Sequence, residues 1–365
     1  MSTLNYIGSK KTLLPFLDYV ISAEINTKHL KKVSFLDGFA GSGVVGKYFS
    51  KKYGYTIFAN DLELYSYTIA YALLKVQYSN KLEKLIEELD KLEKSKEDKY
   101  NLLTKYYSDK GETKRLFWTS TNTEKTDAII ESLQDKLEKQ EITKDEYMFL
   151  LASLLSVLDK TANTASVYGA FLKKYKKSAL TLLKLKPIHT DEKINEHNKI
   201  YNLDINSSVI TDIETDIVYL DPPYNTRQYA KNYHPLNFVA KYDSNVKPYG
   251  VSGMLENTNK SEYSIKQNVK ETFTNLIKNL KTKYILLSYN DEGLMNSQTI
   301  KEILTTKGKT TLYKYKYKKF KSQKDKPNEK KHVYEYLYLC CVGIEGEFET
   351  YICSLENEKF EKTKE

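Results

Sequence analysis

The sequence predicts an α/β fold with a doubly wound, largely parallel sheet, and three observations carry that prediction. A short apolar strand, Val33 to Asp37, runs into a turn rich in glycine (Gly41, Gly43, Gly46) and then into helical spacing through Val44, Val45, Tyr48 and Phe49. A second strand, Tyr55 to Asn60, ends at Asp61 and leads into a helical stretch from about Leu62 to Tyr78. Far downstream, the apolar run Ile217-Val218-Tyr219-Leu220 ends in Asp221-Pro222-Pro223-Tyr224. Alternation of strand and helix is how a doubly wound sheet opens.

The remaining elements follow in order. The apolar stretch Leu13 to Val20 is interrupted by Pro15 and Asp18, so it is too short and broken for a signal peptide or a membrane span. After Tyr78 the composition shifts to Lys and Glu. Lys81 to Lys99 places Leu82, Leu85, Ile86, Leu89 and Leu92 at helical spacing. Glu124 to Lys139 predicts a polar helix and Asp145 to Leu158 a more apolar one, while Tyr168 to Lys186 mixes Lys with Leu and Tyr. Residues 81–195 are therefore expected to be an inserted, mainly helical module within a domain built from 1–80 and 196–345. Strands resume at Lys199 to Asp204 and Asp216 to Leu220. Pro222 to Gly253 is expected as a long functional loop. An amphipathic helix over Ile265 to Leu280, a buried strand Tyr284 to Ser288 and a short helix around Ile300 to Leu304 come next. Thr310 to Lys318 and Val333 to Val342 predict a C-terminal β-hairpin, in which Tyr313, Tyr315 and Tyr317 alternate with Lys314, Lys316 and Lys318. Residues 346–365 are expected as a charged tail.

Composition narrows the class. A chain of 365 residues, 40% hydrophobic, can bury a sizeable core. A net charge of +9 favours a polyanionic partner, although a lysine-rich coding bias would look the same. Arg115 and Arg227 are the only arginines, which makes them the natural candidates for bidentate guanine contacts. Cys340, Cys341 and Cys353 form no CxxC pair and no even framework, so neither a metal site nor a disulfide scaffold is expected, and a reducing, cytoplasmic setting fits.

Asp221-Pro222-Pro223-Tyr224 suits the gripping of a planar exocyclic amine. The prolines remove backbone donors and leave carbonyl acceptors, Asp221 adds another acceptor, and Tyr224 supplies a stacking face. A Pro-Pro turn closing a strand is the bland alternative. Phe39 to Gly46 lets backbone amides approach a ligand at a helix N-terminus. Asp37 before that turn would repel a pyrophosphate but can meet a positively charged amino acid moiety, and Asp61 stands where ribose hydroxyls are bound. With the downstream tetrapeptide in the same sheet, these features favour S-adenosylmethionine (AdoMet) over a dinucleotide. Asp204 is either a strand-end cap or an acceptor for the adenine amine of that cofactor. Asn225, Arg227 and Tyr229 just past the tetrapeptide are types that bond bases and phosphates, whereas His234 before Pro235 is expected to be structural.

The ordered set Tyr6-Ile7-Gly8-Ser9-Lys10, Phe39-x-Gly41-x-Gly43, Asn60-Asp61 and Asp221-Pro222-Pro223-Tyr224 resembles the Dam-like, alpha-type class of N6-adenine DNA methyltransferases. Lys160 to Ala170, Asp221 to Tyr229 and Asn232 to His234 resemble a branch of bacterial restriction-modification methylases. The resemblance implies an AdoMet-dependent, Rossmann-like methyltransferase sheet and makes residues 81–195 a target recognition domain. It implies that Tyr6 and Lys10 contact AdoMet, Lys10 near its carboxylate, and that Asp37, Phe39, Gly41 and Gly43 shape the methionine pocket. It further implies that Asp61 binds the ribose, Asp204 the adenine amine and Asp221 the junction of donor and target. Glu63 replaces the Asn common in the family, which puts the contacts of Asp61 in question.

The expected reaction is methyl transfer to adenine N6 in a specific double-stranded DNA sequence, with the base flipped onto Tyr224, no metal, and a cognate restriction endonuclease as a possible companion. Lys314, Lys316 and Lys318 are expected to hold phosphates, unless the hairpin is merely a sheet edge guarded by lysines. The rivals are an RNA N-methyltransferase, an N4-cytosine DNA enzyme, and a non-catalytic DNA-binding specificity component.

Overall fold

The computed structural model describes residues 4, 8, 10–27, 32–97, 101–256, 258–318, 332–356 and 359–365. Its centre is β1 (Ser34–Asp37), flanked by β2 (Thr56–Asn60) and, on the other side, a strand from much later in the chain. Phe35, Leu36, Ile57 and Ala59 are fully buried, because a parallel sheet is covered on both faces. The helix α1 (Leu14–Glu24) precedes β1, with Pro15 in its first turn. Between β1 and β2 runs α2 (Val44–Tyr53), started and stopped by Gly43 and Gly54, both left-handed, at φ 68° and 71°.

The chain leaves β2 through α3 (Leu64–Lys75) and then α4 (Asn80–Leu89), α5 (Leu102–Tyr107), α6 (Ser120–Glu138) and α7 (Lys144–Lys160). A capping box between Thr143 and Glu146 starts α7. Leu103, Ile129, Leu150 and Leu154 of these helices share one apolar cluster with Ile69 of α3 and Phe35 of β1. The first helix of this group is shorter than its periodicity suggests. Asp90 Oδ1 accepts from Leu185 N at 2.6 Å and from Lys125 at 2.9 Å, which turns the chain away after Leu89.

The return to the sheet is β3 (Lys199–Tyr201), then α8 (Ser208–Thr211) and β4 (Thr215–Leu220). The stretch expected as a structureless loop carries α9 (Tyr229–Asn232) and α10 (His234–Lys241). Leu236, Phe238 and Val239 bury the inner face of α10; an Asn-, Tyr- and Gly-rich surround hid that short apolar pattern. Then follow α11 (Val269–Asn279), β5 (Thr282–Asn290), α12 (Ser297–Thr305), β6 (Gly308–Lys318) and β7 (His332–Val342).

The residues expected as a charged tail form β8 (Glu349–Glu356) and β9 (Lys359–Lys364) instead. Alternation explains it. Cys353 is buried, Tyr351 stacks on Tyr313 at 5.8 Å, and Phe360 meets Phe16 and Tyr19 of α1, while Ile352, Ser354 and Glu361 on the other face are exposed. Among the described residues the sheet order is β3-β2-β1-β4-β5-β7-β6-β8-β9. The first five strands are mutually parallel, and β7 runs antiparallel between β5 and β6. Since β8 pairs alongside β6, the lysine-bearing strand is interior and not an edge. The protein is thus a mixed α/β fold built on one large sheet.

Candidate active site

Parallel register brings three carboxylates to one end of the sheet. Asp37 closes β1 opposite Ala59 and Tyr219, Asp61 follows β2, and Asp221 follows β4. The turn after β1 is tied to both neighbours: Gly38 N donates to Tyr219 O at 2.9 Å and Ala40 N to Asn60 O at 2.9 Å. Gly43 is required there, because a Cβ would lie 3.3 Å from Ala70 Cα on a backbone already at φ 68°.

The acids hold the turn in shape. Asp61 Oδ2 accepts from Gly41 N at 2.7 Å, its Oδ1 from Glu63 N at 2.9 Å, and Asp37 Oδ2 from Gly46 N at 3.1 Å. Asp37 Oδ1 is buried and has no hydrogen-bond partner among the described residues. Burial, with the nearby charges of Asp221 and Asp61 adding to it, pushes the Asp37 carboxyl up to about 7. Burial likewise pushes Asp61 to about 6 and Glu63 to about 7. A buried, under-coordinated acid beside two others fits a ligand that carries positive charge.

The cleft beside this turn is lined by Phe39, Asp61, Asp204, Asp221, Pro223 and Tyr229, all predicted site residues. Tyr263 closes it, edge-on to Phe39 at 5.1 Å. Asp204 is exposed, and its Oδ1 accepts from Asn206 N at 2.8 Å, so it does cap a turn and also faces the cleft. Glu63, the departure from the family pattern, lines the cleft and accepts from Asn237 of α10.

Asp221 sits in a compact polar cluster. Its Oδ1 accepts from Tyr224 Oη at 2.6 Å and lies 3.1 Å from Lys10 Nζ. Lys10 Nζ also donates to Tyr224 Oη at 2.6 Å and to Glu335 Oε1 at 2.9 Å. No hydrogen bond from the described residues reaches Asp221 Oδ2. Burial, partly offset by Lys10, raises the Asp221 carboxyl; the same balance raises Glu335. Burial also favours the neutral form of Lys10, but Asp221 and Glu335 outweigh it and hold the ammonium charged.

The D12 class of N6 adenine-specific DNA methyltransferases matches the chain over residues 6–303. The chain belongs to this family. It is an AdoMet-type methyltransferase in the general sense of that family, an enzyme that methylates adenine N6 in DNA. Type II methyltransferase M.NlaIII of Neisseria lactamica is 40% identical over 85% of this chain and 90% of its own length. M.CviAII of Paramecium bursaria Chlorella virus 1 is 36% identical over 85% and 90%. The modification methylase StsI of Streptococcus sanguinis is 35% identical over 82% of this chain and 46% of its own. An RNA enzyme, an N4-cytosine enzyme and a catalytically inert binder are not favoured by these likenesses.

Not every sequence candidate of this D12 methyltransferase lands in the cleft. Tyr6 and the side chain of Lys318 lie outside the described residues. Lys10 faces Asp221 and Glu335, a location its motif did not reveal. Arg115 is not a base reader here. It is 3% exposed, and its guanidinium donates to the carbonyls of Tyr106, Gly250 and Val251 at 2.8–3.1 Å, pinning the 249–254 turn. Arg227 and Asn225 are exposed just outside, with Asn225 Oδ1 accepting from Arg227 N at 2.9 Å. Lys314 pairs with Glu365, Lys316 is exposed, and the aromatic face of β6 is covered, with Tyr315 stacked on Phe16 at 5.0 Å. His234 is structural as expected, buried with both ring nitrogens on backbone carbonyls. Sequence reasoning missed Tyr263 and Glu335. For Glu335 a signal existed: it occupies an inward position of β7, in step with Leu337 and Leu339, where a lone acid must find a partner.

Proposed function

We propose that this enzyme transfers the methyl group of AdoMet to adenine N6 within a specific sequence of double-stranded DNA. The observation that carries the reading is the Asp221 cluster at the cleft wall, with Oδ1 held by Tyr224 and Lys10 and no hydrogen bond to Oδ2 among the described residues. The target base leaves the stack to reach that wall. Asp221 Oδ2 and the Pro222 carbonyl accept from the amine, which aims its lone pair at the incoming methyl. AdoMet supplies an electrophilic methyl on a positively charged sulfur. The nitrogen–carbon bond forms as the carbon–sulfur bond breaks, and the proton shed by the nitrogen goes to Asp221. Positioning and fixed charge do this work, with no covalent enzyme intermediate.

The acidic turn suits the donor. Asp37 would meet its ammonium, Phe39, Gly41 and Gly43 would shape the methionine end, Asp61 the ribose and Asp204 the adenine. In this reading the sheet is a Rossmann-like, doubly wound methyltransferase sheet, and residues 81–195 are the inserted module that selects the DNA sequence. Arg227, Asn225 and Lys316 lie on exposed surface suited to DNA. The enzyme works in the cytoplasm, beside a restriction endonuclease of the same specificity. The test is methylation of duplex DNA followed by single-molecule sequencing, which reports the modified base and its context. Methyl groups found on cytosine or only on RNA would refute it.

A pH dependence follows. The carboxyl of Asp37 stands near 7 in the free protein, and a cationic ligand favours its ionised form. AdoMet affinity should therefore rise as pH goes from 6 to 8, with a proton released on binding. Asp37→Asn should weaken binding and flatten most of that dependence; an unchanged slope by titration calorimetry would remove Asp37 from the ammonium site.

A further inference from the structure

We propose that Glu335 is a positioning residue for methyl transfer, anchoring the Lys10 ammonium so that Asp221 keeps one oxygen for the target amine. The inference rests on the reading of Asp221 given above. Glu335 comes from β7, Lys10 from the N-terminal segment and Asp221 from the end of β4, and their side chains are 7%, 6% and 17% exposed. One buried ammonium thus serves two carboxylates, at 2.9 Å and 3.1 Å. Two acids thus share one cation beside the site of a methyl donor that carries a positive charge. Tyr224 belongs to the same arrangement: its hydroxyl accepts a hydrogen bond from Lys10 and donates one to Asp221, and Glu335 Oε1 lies 3.3 Å away.

Without the charge of Glu335, Lys10 has a single anionic partner. A buried ammonium with one carboxylate closes tightly on it, since attraction between buried charges is weakly screened. Asp221 would then be a poorer acceptor, and its second oxygen would be drawn toward Lys10. Placing a carboxylate at an inward strand position costs desolvation, and its contacts to Lys10 and Tyr224 account for its presence there better than packing does.

The test compares single-turnover methyl transfer on duplex DNA for wild type, E335Q, K10M and K10M/E335Q, with AdoMet and DNA dissociation constants for each. E335Q is expected to slow the methyl-transfer step about tenfold or more with both dissociation constants within about twofold of wild type. Because Glu335 acts through Lys10, K10M/E335Q should be no slower than K10M. A wild-type rate for E335Q, or a slowdown that multiplies in full onto that of K10M, overturns the proposal. Should E335Q fold poorly, the double variant leaves one carboxylate without its cation where K10M leaves two, and its comparison with K10M decides alone. Asp221→Asn separates the two readings. If that variant is fully active, the role of Asp221 itself falls; if it is inactive while E335Q is wild type, only the role of Glu335 falls.

Discussion

Asp221→Ala lowers methyl transfer by about a thousandfold or more while the protein stays folded and still binds DNA. The size follows from what the side chain does. In the proposed mechanism its Oδ2 is the acceptor that orients the amine, while Asp37 is turned into the glycine turn and Glu335 is engaged with Lys10. The survival of the fold follows from the same geometry. Removing Asp221 leaves Lys10 paired to Glu335 at 2.9 Å, so no buried charge is orphaned, and Asp37 loses a like-charged neighbour. Incorporation of labelled methyl into duplex DNA, measured with a thermal melt, checks both halves. More than a tenth of wild-type activity would dismiss Asp221 as the amine acceptor.

Much of this site was legible in the sequence because it depends on local punctuation. Glycines at 41 and 43 and acids at strand ends are written next to the strands that carry them, and a parallel sheet puts such ends together by construction. Asp37, Asp61 and Asp221 were accessible for that reason. Glu335 and Tyr263 come from elements more than a hundred residues from the glycine turn, and only pairing of β5 with β7 brings Glu335 to Asp221. Arg115 shows the opposite failure. Its rarity suggested a base contact, yet a planar donor that satisfies several carbonyls at once is equally useful inside the fold. The C-terminal strands were hidden by charge, since the lysines and glutamates around Tyr351, Cys353 and Phe360 give this segment the composition of a tail.

Asp127→Ala should destabilise the fold by about 3–5 kcal/mol, the largest stability effect expected from a single polar side chain here. Asp127 lies on α6, fully buried, and gathers donors from two other elements. Its Oδ1 accepts from Leu103 N at 3.0 Å and from the hydroxyl of Tyr242; its Oδ2 accepts from Thr104 N at 3.0 Å and Thr104 Oγ1 at 2.6 Å. Leu103 and Thr104 open α5, so the carboxyl also completes the N-terminus of a six-residue helix that could not stand alone. Tyr242 ends α10 in the left-handed region at φ 44°, a conformation that the bond to Asp127 helps to hold. Truncation removes four hydrogen bonds at a buried position, among them those to the Leu103 and Thr104 amides that open α5. Burial, despite those hydrogen bonds, pushes the Asp127 carboxyl up to about 7, above its unfolded value, so folding favours the protonated form. The stabilisation is therefore greatest at low pH and declines as pH rises through 7, and the penalty of Asp127→Ala should be larger at pH 5.5 than at pH 8. Urea unfolding at the two pH values checks size and sign together. The effect reaches the cleft as well, because Asn237 on the same α10 bonds Glu63 and the backbone of Tyr65 beside Asp61. A loosened α10 should raise the AdoMet dissociation constant even though Asp127 touches no cleft residue, and an unchanged constant in a destabilised variant would show that the cleft is insulated from the helices behind it.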